Sequence, residues 1–121
     1  MTSATITLVG ERPTSWNVFY AGRHWRIRYD EANRVHAVVR AAMTGNEVPF
    51  TNPVTITVTA LFDNKDKPID ADNIMAKLYI DGLKGWLIKD DNSTYVRSVT
   101  TRSSLCRDGA AVVITVEEVQ G

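Results

Sequence analysis

Apolar and polar positions alternate most clearly in the middle of the chain. Between residues 54 and 62 every second side chain is apolar, and threonines fill most of the positions between them. This period of two is typical of a strand with one buried face. Weaker alternations predict three further strands and one short extended piece, which are residues 5–9, 95–102, 111–119 and 24–29.

Apolar residues spaced three and four apart predict two helices. The first follows Asp30, a favourable N-cap residue, and ends near Gly45. The second covers about residues 72–85, and its first aspartate is a second N-cap candidate. Residues 10–23 and 63–68 have the polar, turn-forming composition of loops.

The predicted order of elements is therefore β-α-β-α-β-β. Two consecutive strands at the end of the chain, joined through Asp108-Gly109, favour a hairpin and antiparallel pairing. We predict an α+β (mixed α/β) fold, with the helices packed on a mostly antiparallel or mixed sheet. The length fits one domain over residues 1–121.

Composition indicates a protein of the cytoplasm. Hydrophobic residues make up 44% and charged residues 23% of the chain, which is ordinary for a globular protein. No window approaches the roughly 18 apolar residues of a membrane span, and the first residues lack the features of a signal peptide. Cys106 is the sole cysteine, which excludes an intrachain disulfide and suits a reducing compartment.

The formal net charge is zero, but the charges are unevenly distributed. Residues 1–40 contain six arginines against three acidic residues, whereas residues 60–95 contain seven aspartates against five lysines. This asymmetry permits a phosphate-facing arm beside an acidic metal pocket. Two ordinary solvated surfaces would give the same counts.

The acidic residues of the second half have a suggestive spacing. Asp70 and Asp72 lie two apart where a loop meets a helix, so both carboxylates can face one point. Asp90 and Asp91 follow a short apolar run that could return to the same place. Carboxylates without histidine or cysteine suit Mg²⁺, which assists phosphodiester hydrolysis by neutralising the phosphate and acidifying the attacking water. Lys77 could support the phosphate in the transition state.

Plainer interpretations stay open at this point. An Asp-x-Asp at a helix start is often an N-cap with a solvated neighbour. Lys77 and Asp81 could form an ordinary surface ion pair, and Asp90-Asp91 could belong to a simple turn. An EF-hand loop starting at Asp70 would have isoleucine and methionine where a ligand and glycine are needed. No Walker loop or dinucleotide fingerprint occurs, so no nucleotide cofactor is expected.

The order of these residues resembles the signature of the RusA family of Holliday-junction resolvases. The matching segments are Asp70-Ala71-Asp72-Asn73, Lys77, Asp81-Gly82-Leu83, Asp90-Asp91 and, near the N-terminus, Pro13-Thr14-Ser15-Trp16-Asn17 followed by Tyr20. The resemblance covers most of the chain. It departs from the family pattern in two places. Lys77 lies four residues after Asn73, where some members have three, and residues 63–69 are less basic than is usual.

The resemblance implies a homodimeric, Mg²⁺- or Mn²⁺-dependent endodeoxyribonuclease of phage or prophage type, which nicks four-way DNA junctions symmetrically. It implies that Asp70, Asp72 and Asp91 are catalytic metal ligands and that Lys77 is the catalytic lysine. We expect Asp90 as a further metal ligand. The expected DNA-contacting residues are Asn17, Tyr20, Arg23, Arg26, Arg28, Asn73 and Lys77. A two-fold dimer suits a junction of near two-fold symmetry.

Two rival functions remain open. One is a nuclease for other branched DNA, such as forks and flaps. The other is a dimeric DNA-binding protein without catalysis, although retention of all the acidic residues argues against it. His24 and His36 are expected to be structural or exposed, because neither has a nearby cysteine or second histidine to form a zinc site.

Overall fold

The computed structural model describes residues 3–16, 19, 25–45, 47–63 and 68–119. Along them lie seven elements: β1 (Ser3–Val9), α1 (Trp25–Ala41), β2 (Val54–Phe62), a 3₁₀ helix (Ala71–Asn73), α2 (Ala76–Leu83), β3 (Val96–Leu105) and β4 (Ala111–Glu118). The predicted α+β class and β-α-β-α-β-β order are confirmed, and the 3₁₀ helix is an addition. The single domain over residues 1–121 stays a prediction.

The four described strands form a mixed sheet in the order β1-β4-β2-β3. β4 is antiparallel to both β1 and β2, whereas β3 is parallel to β2. The predicted hairpin between β3 and β4 is therefore wrong. Asp108-Gly109 does form a turn, with Gly109 at φ +108°, but the two strands that it connects are not neighbours.

The composition of the last two strands explains this arrangement. Val112, Ile114 and Val116 of β4 are fully buried, and a central position gives that strand a neighbour on each side. β3 is rich in serine and threonine and is largely exposed along its length. A polar strand loses little at the edge of a sheet, so side-chain burial overrides the local turn signal.

One face of the sheet carries the core. Along β2 the apolar side chains from Val54 to Phe62 are buried, and the threonines between them are half-buried. Val35 and Val39 of α1 pack into the same core. A Cβ atom on Gly82 of α2 would lie 3.0 Å from the Val39 Cβ atom, so the glycine permits close approach of the two helices.

The first helix begins earlier than predicted. Residues 25–29 belong to α1 and are not extended, although the apolar residues alternate there. The rings of Trp25 and Tyr29 meet edge to face with centroids 6.5 Å apart, an i, i+4 contact that only a helix provides. Arg26 stacks over the Trp25 ring at 5.1 Å. The described part of the chain offers this segment no partner strand, which explains the error.

The second helix is shorter than predicted, and Asp72 is not its N-cap. Asp72 lies in the 3₁₀ helix, the chain then becomes extended at Ile74, and α2 begins only at Ala76. Ile74 forms an antiparallel bridge with Ser15, and the Met75 N–H donates to the Thr14 carbonyl at 3.2 Å. These contacts with the N-terminal loop satisfy backbone groups that an uninterrupted helix would have used internally.

Among the described residues, none of the helices has the length and apolar character needed to cross a membrane.

Candidate functional site

Three of the predicted site residues line one cavity beside β3. Its volume is about 420 Å³. Asp72, Lys77 and Asp91 line it together, although these residues come from three different segments. The complete lining is Trp16, Asp72, Ile74, Ala76, Lys77, Ile80, Asp91, Val96, Val99 and Thr101.

A hydrogen bond fixes the segment that carries Asp72. The Thr101 hydroxyl of β3 donates to the Ala71 carbonyl at 2.6 Å, and so holds the 3₁₀ helix against the edge strand. On its other side, the Ser15–Ile74 bridge ties the end of the same segment to the N-terminal loop. Trp16 follows directly in that loop and contributes an apolar wall to the cavity. The position of Asp72 thus depends on residues from both ends of the chain.

The turn before β3 positions Asp91. The Asp91 N–H donates to the Asp90 carboxylate at 2.7 Å, and the Asn92 side-chain amide donates to the same carboxylate at 3.3 Å. Asp90 therefore organises the turn and does not line the cavity. Asp91 keeps 29% of its side chain exposed and faces the cavity.

Lys84 is the closest cation to Asp91. Its Nζ atom lies 3.1 Å from Asp91 Oδ2 and 3.3 Å from Asp81 Oδ1. Burial alone would raise the pKa of Asp91, but hydrogen bonds with Lys84 and Asp90 hold that pKa below its ordinary value. Burial alone would lower the pKa of Lys84, but its two carboxylate partners raise it. Both groups are therefore charged at neutral pH.

Lys77 projects toward solvent. More than half of its side chain is exposed, and its Nζ atom lies 3.5 Å from Asp81 Oδ2. The surface ion pair between Lys77 and Asp81 that the spacing allowed is therefore present, whereas Asn73 lies in the 3₁₀ helix outside α2. An exposed ion pair of this length is worth about 0.5 kcal/mol or less. The ammonium can therefore leave Asp81 for a phosphate at small cost.

The remaining predicted residues lie elsewhere. Asp70 is exposed and precedes the 3₁₀ helix, outside the lining of the cavity. Arg28 lines a second cavity of about 330 Å³ between α1 and the N-terminal loop, and Arg26 is exposed on the first turn of α1. Asn17, Tyr20 and Arg23 lie outside the described residues.

The carboxylates at the cavity are the right kind of ligand for a hard cation, but few of them lie together. Asp72 and Asp91 offer oxygen ligands of the kind that Mg²⁺ prefers, at one solvent-accessible cavity. Within the described ranges, no three His, Cys, Asp or Glu side chains are grouped so as to hold a metal ion. Asp72 and Asp91 are therefore the two candidate ligands that the fold brings to one place.

The sequence pattern gave no sign of a buried charge network behind this site. The buried Glu11 carboxylate accepts two hydrogen bonds from Arg34, at 2.9 and 3.2 Å, and one from the Tyr79 hydroxyl at 2.8 Å. Arg34 also binds Glu31 at 2.6 Å, and Glu31 accepts a hydrogen bond from Thr14. The network joins the N-terminal loop, α1 and α2. Glu11 and Tyr79 are 68 residues apart, so no local motif could have indicated the contact.

The charges in this network fix which side chains donate hydrogen bonds and which one accepts them. Burial and the neighbouring Glu11 carboxylate raise the pKa of the Tyr79 hydroxyl far above its ordinary value. Hydrogen bonds to Glu11 and Glu31 raise the pKa of Arg34 further above its already high value. The tyrosine is thus always a donor and the arginine always a cation, and both are arranged around one acceptor.

No model of a protein family matches this chain, and no curated protein matches it either.

Replacing Tyr79 with phenylalanine tests the network. Tyr79→Phe leaves a buried carboxylate oxygen with one donor fewer, so we expect the free energy of unfolding to fall by about 1–3 kcal/mol. Urea unfolding followed by circular dichroism measures this change. The matched control is Tyr95→Phe, because the Tyr95 hydroxyl makes no hydrogen bond within the described part of the chain. Equal stability of the two variants would show that the Glu11 contact contributes nothing.

Proposed function

We propose that this protein is a Mg²⁺-dependent endodeoxyribonuclease that resolves four-way DNA junctions, with Mn²⁺ able to replace Mg²⁺. The observation that carries the proposal is the meeting of Asp72, Lys77 and Asp91 at one cavity. Each of the three comes from a different motif of the RusA-like pattern. A shared catalytic role requires that the three residues lie together. Separate roles as a helix cap or a turn residue would not require it.

The side chains have distinct roles in this proposal. Asp72 and Asp91 are the oxygen ligands that would hold the cation, and the lowered pKa of Asp91 keeps its carboxylate ionised. When bound, the cation would neutralise charge on the phosphate and favour ionisation of the attacking water. Lys77 exposes its ammonium at the rim of the same cavity, where it can bind a nonbridging phosphate oxygen.

Two features of the protein suit branched DNA, one in the cavity and one on α1. Trp16 offers a partly exposed ring on which an unpaired base at a branch point could stack. Arg26 and Arg28 on the first turns of α1 could contact phosphates away from the reacting strand. Asp70 and Asp90 do not line the cavity, so their roles as metal ligands stay predictions from the resemblance, as does the DNA contact of Asn73.

We also propose a homodimer, for which the free edge of β3 is a suitable surface. Among the strands that the structure describes, β3 pairs with β2 alone, and Leu105 at its end is 61% exposed. It contains no proline or lysine, and the charged residues along it are Arg97 and Arg102. Antiparallel pairing of two β3 strands about a two-fold axis would leave both cavities on the same side of one continuous sheet.

Cleavage of synthetic DNA tests the catalytic proposal. We expect paired nicks in a labelled four-way junction with Mg²⁺ and none with EDTA, and a loss of about 100-fold or more in Asp72→Asn. Asp108→Asn is the matched control, because Asp108 is an exposed aspartate that does not line the cavity. A fork and a linear duplex in parallel reveal whether another branched substrate is preferred. An absence of metal-dependent cleavage by the unmodified protein on every substrate would refute the nuclease proposal.

Light scattering after size exclusion tests the dimer surface. Leu105→Lys places a charge at the outer edge of β3, so we expect it to convert a dimer into a monomer that keeps the circular dichroism spectrum of the unmodified protein. Val9→Lys is the control, since Val9 is 87% exposed at the end of β1, on the opposite edge of the sheet. A monomeric unmodified protein, or an unchanged dimer in Leu105→Lys, would contradict this assignment.

A further inference from the structure

The ion pair between Lys84 and Asp91 has a consequence for metal binding. Lys84 does not line the cavity, yet its Nζ atom lies 3.1 Å from an oxygen of Asp91, which does. An ammonium at this distance forms an ion pair with the carboxylate. It also occupies one of the two oxygens with which Asp91 would bind a divalent cation.

We propose that Lys84 controls the metal affinity of the site, by competing with the divalent cation for Asp91. Asp81 provides the alternative partner, to which the ammonium moves when the cation takes Asp91. Lys84 is then a positioning residue that acts through Asp91 and does not itself touch DNA. The inference rests on the proposed function in one respect, namely that the cation binds at Asp91.

The surroundings of the Asp81 carboxylate support its role as the alternative partner of Lys84. Its Oδ1 atom is buried and has no hydrogen bond, although it lies only 3.3 Å from Lys84 Nζ. The contact is an ion pair of nearly the same length as the one with Asp91, so the ammonium already lies within reach of both carboxylates. A buried oxygen without a hydrogen bond is unfavourable, so movement of Lys84 toward Asp81 would recover energy at the moment that Asp91 is released.

The surrounding charges favour the same movement. Asp81 is approached by Lys77 at its other oxygen, at 3.5 Å, but that lysine is largely exposed and leaves readily for a phosphate. Departure of Lys77 to the DNA would leave the Asp81 carboxylate with Lys84 as its remaining lysine partner. Binding of DNA at Lys77 and binding of metal at Asp91 would thus favour each other through one shared carboxylate.

Titration with Mn²⁺ alone tests the competition, with free Mn²⁺ counted by electron paramagnetic resonance. Lys84→Met removes the competing charge, so we expect it to tighten Mn²⁺ binding by about tenfold. Lys84→Arg keeps the charge and should bind Mn²⁺ within about twofold of the unmodified protein. Lys89→Met is the control for charge removal, because Lys89 is exposed and close in sequence but makes no ion pair among the described residues. We expect it to change the affinity by less than about twofold.

A double-mutant cycle tests the role of Asp81. In the unmodified background, Asp81→Asn should weaken Mn²⁺ binding, because Lys84 then has only Asp91 as a carboxylate partner. In the Lys84→Met background the same change should have a much smaller effect. An equal effect in both backgrounds would mean that Asp81 acts by its charge alone, and would overturn the proposed transfer of the ammonium.

The outcomes separate this inference from the nuclease proposal. Unchanged or weaker Mn²⁺ binding in Lys84→Met, with unchanged thermal stability, overturns the inference even if the protein cleaves DNA. Tighter binding in Lys84→Met and not in Lys84→Arg supports it even if no DNA is cleaved, in which case the nuclease proposal alone fails. Absence of Mn²⁺ binding in both the unmodified protein and Lys84→Met also overturns the inference.

Discussion

The buried carboxylate of Glu11 is the constraint on which the arrangement around the cavity depends. An unpaired charge in that position would cost several kcal/mol, and the fold offsets this cost with three hydrogen bonds from two helices. Arg34 binds it from α1 and Tyr79 binds it from α2. The loop that begins at Glu11 is thereby held between the helices, and it continues directly into Ser15 and Trp16 at the cavity.

The loop in turn determines where the second helix starts. Ser15 pairs with Ile74, and this pairing interrupts what would otherwise be one helix from Asp72 onward. Asp72 therefore faces the edge strand from a separate turn, where Thr101 holds the backbone. An uninterrupted helix would have used the Asp72 side chain as its cap. The same interruption thus removes a structural role from this carboxylate and leaves it at the cavity.

The sheet topology brings the second carboxylate to the same place. β3 lies at the edge beside β2, and Val96 at its start is a wall of the cavity. Asp91 lies in the turn just before that strand. Had β3 formed a hairpin with β4, as the turn residues suggest, the strand would have left the position that places Val96 and Asp91 near α2.

Sequence analysis was most accurate for features that are determined by residues close together in the chain. The bounds of β2, Val54–Phe62, are the predicted ones, because a strict alternation marks both ends of a strand buried on one face. The pairing of β3 was missed, because partner choice depends on burial across the whole sheet. Asp72 and Asp91 were identified from motifs, whereas Glu11 and Lys84 were not. Their roles arise from contacts with distant residues, for which the local sequence has no signature.

The most direct test of the central claim is a nuclear magnetic resonance titration of ¹⁵N-labelled protein with substoichiometric Mn²⁺. Paramagnetic broadening falls off steeply with distance, so it locates the cation without requiring turnover. We expect the amide signals of Asp72 and Asp91 to broaden first, while those of β1 stay sharp. Broadening centred on another acidic segment, such as Glu117 and Glu118, or uniform broadening across the protein, would contradict the proposed binding of the cation at this cavity.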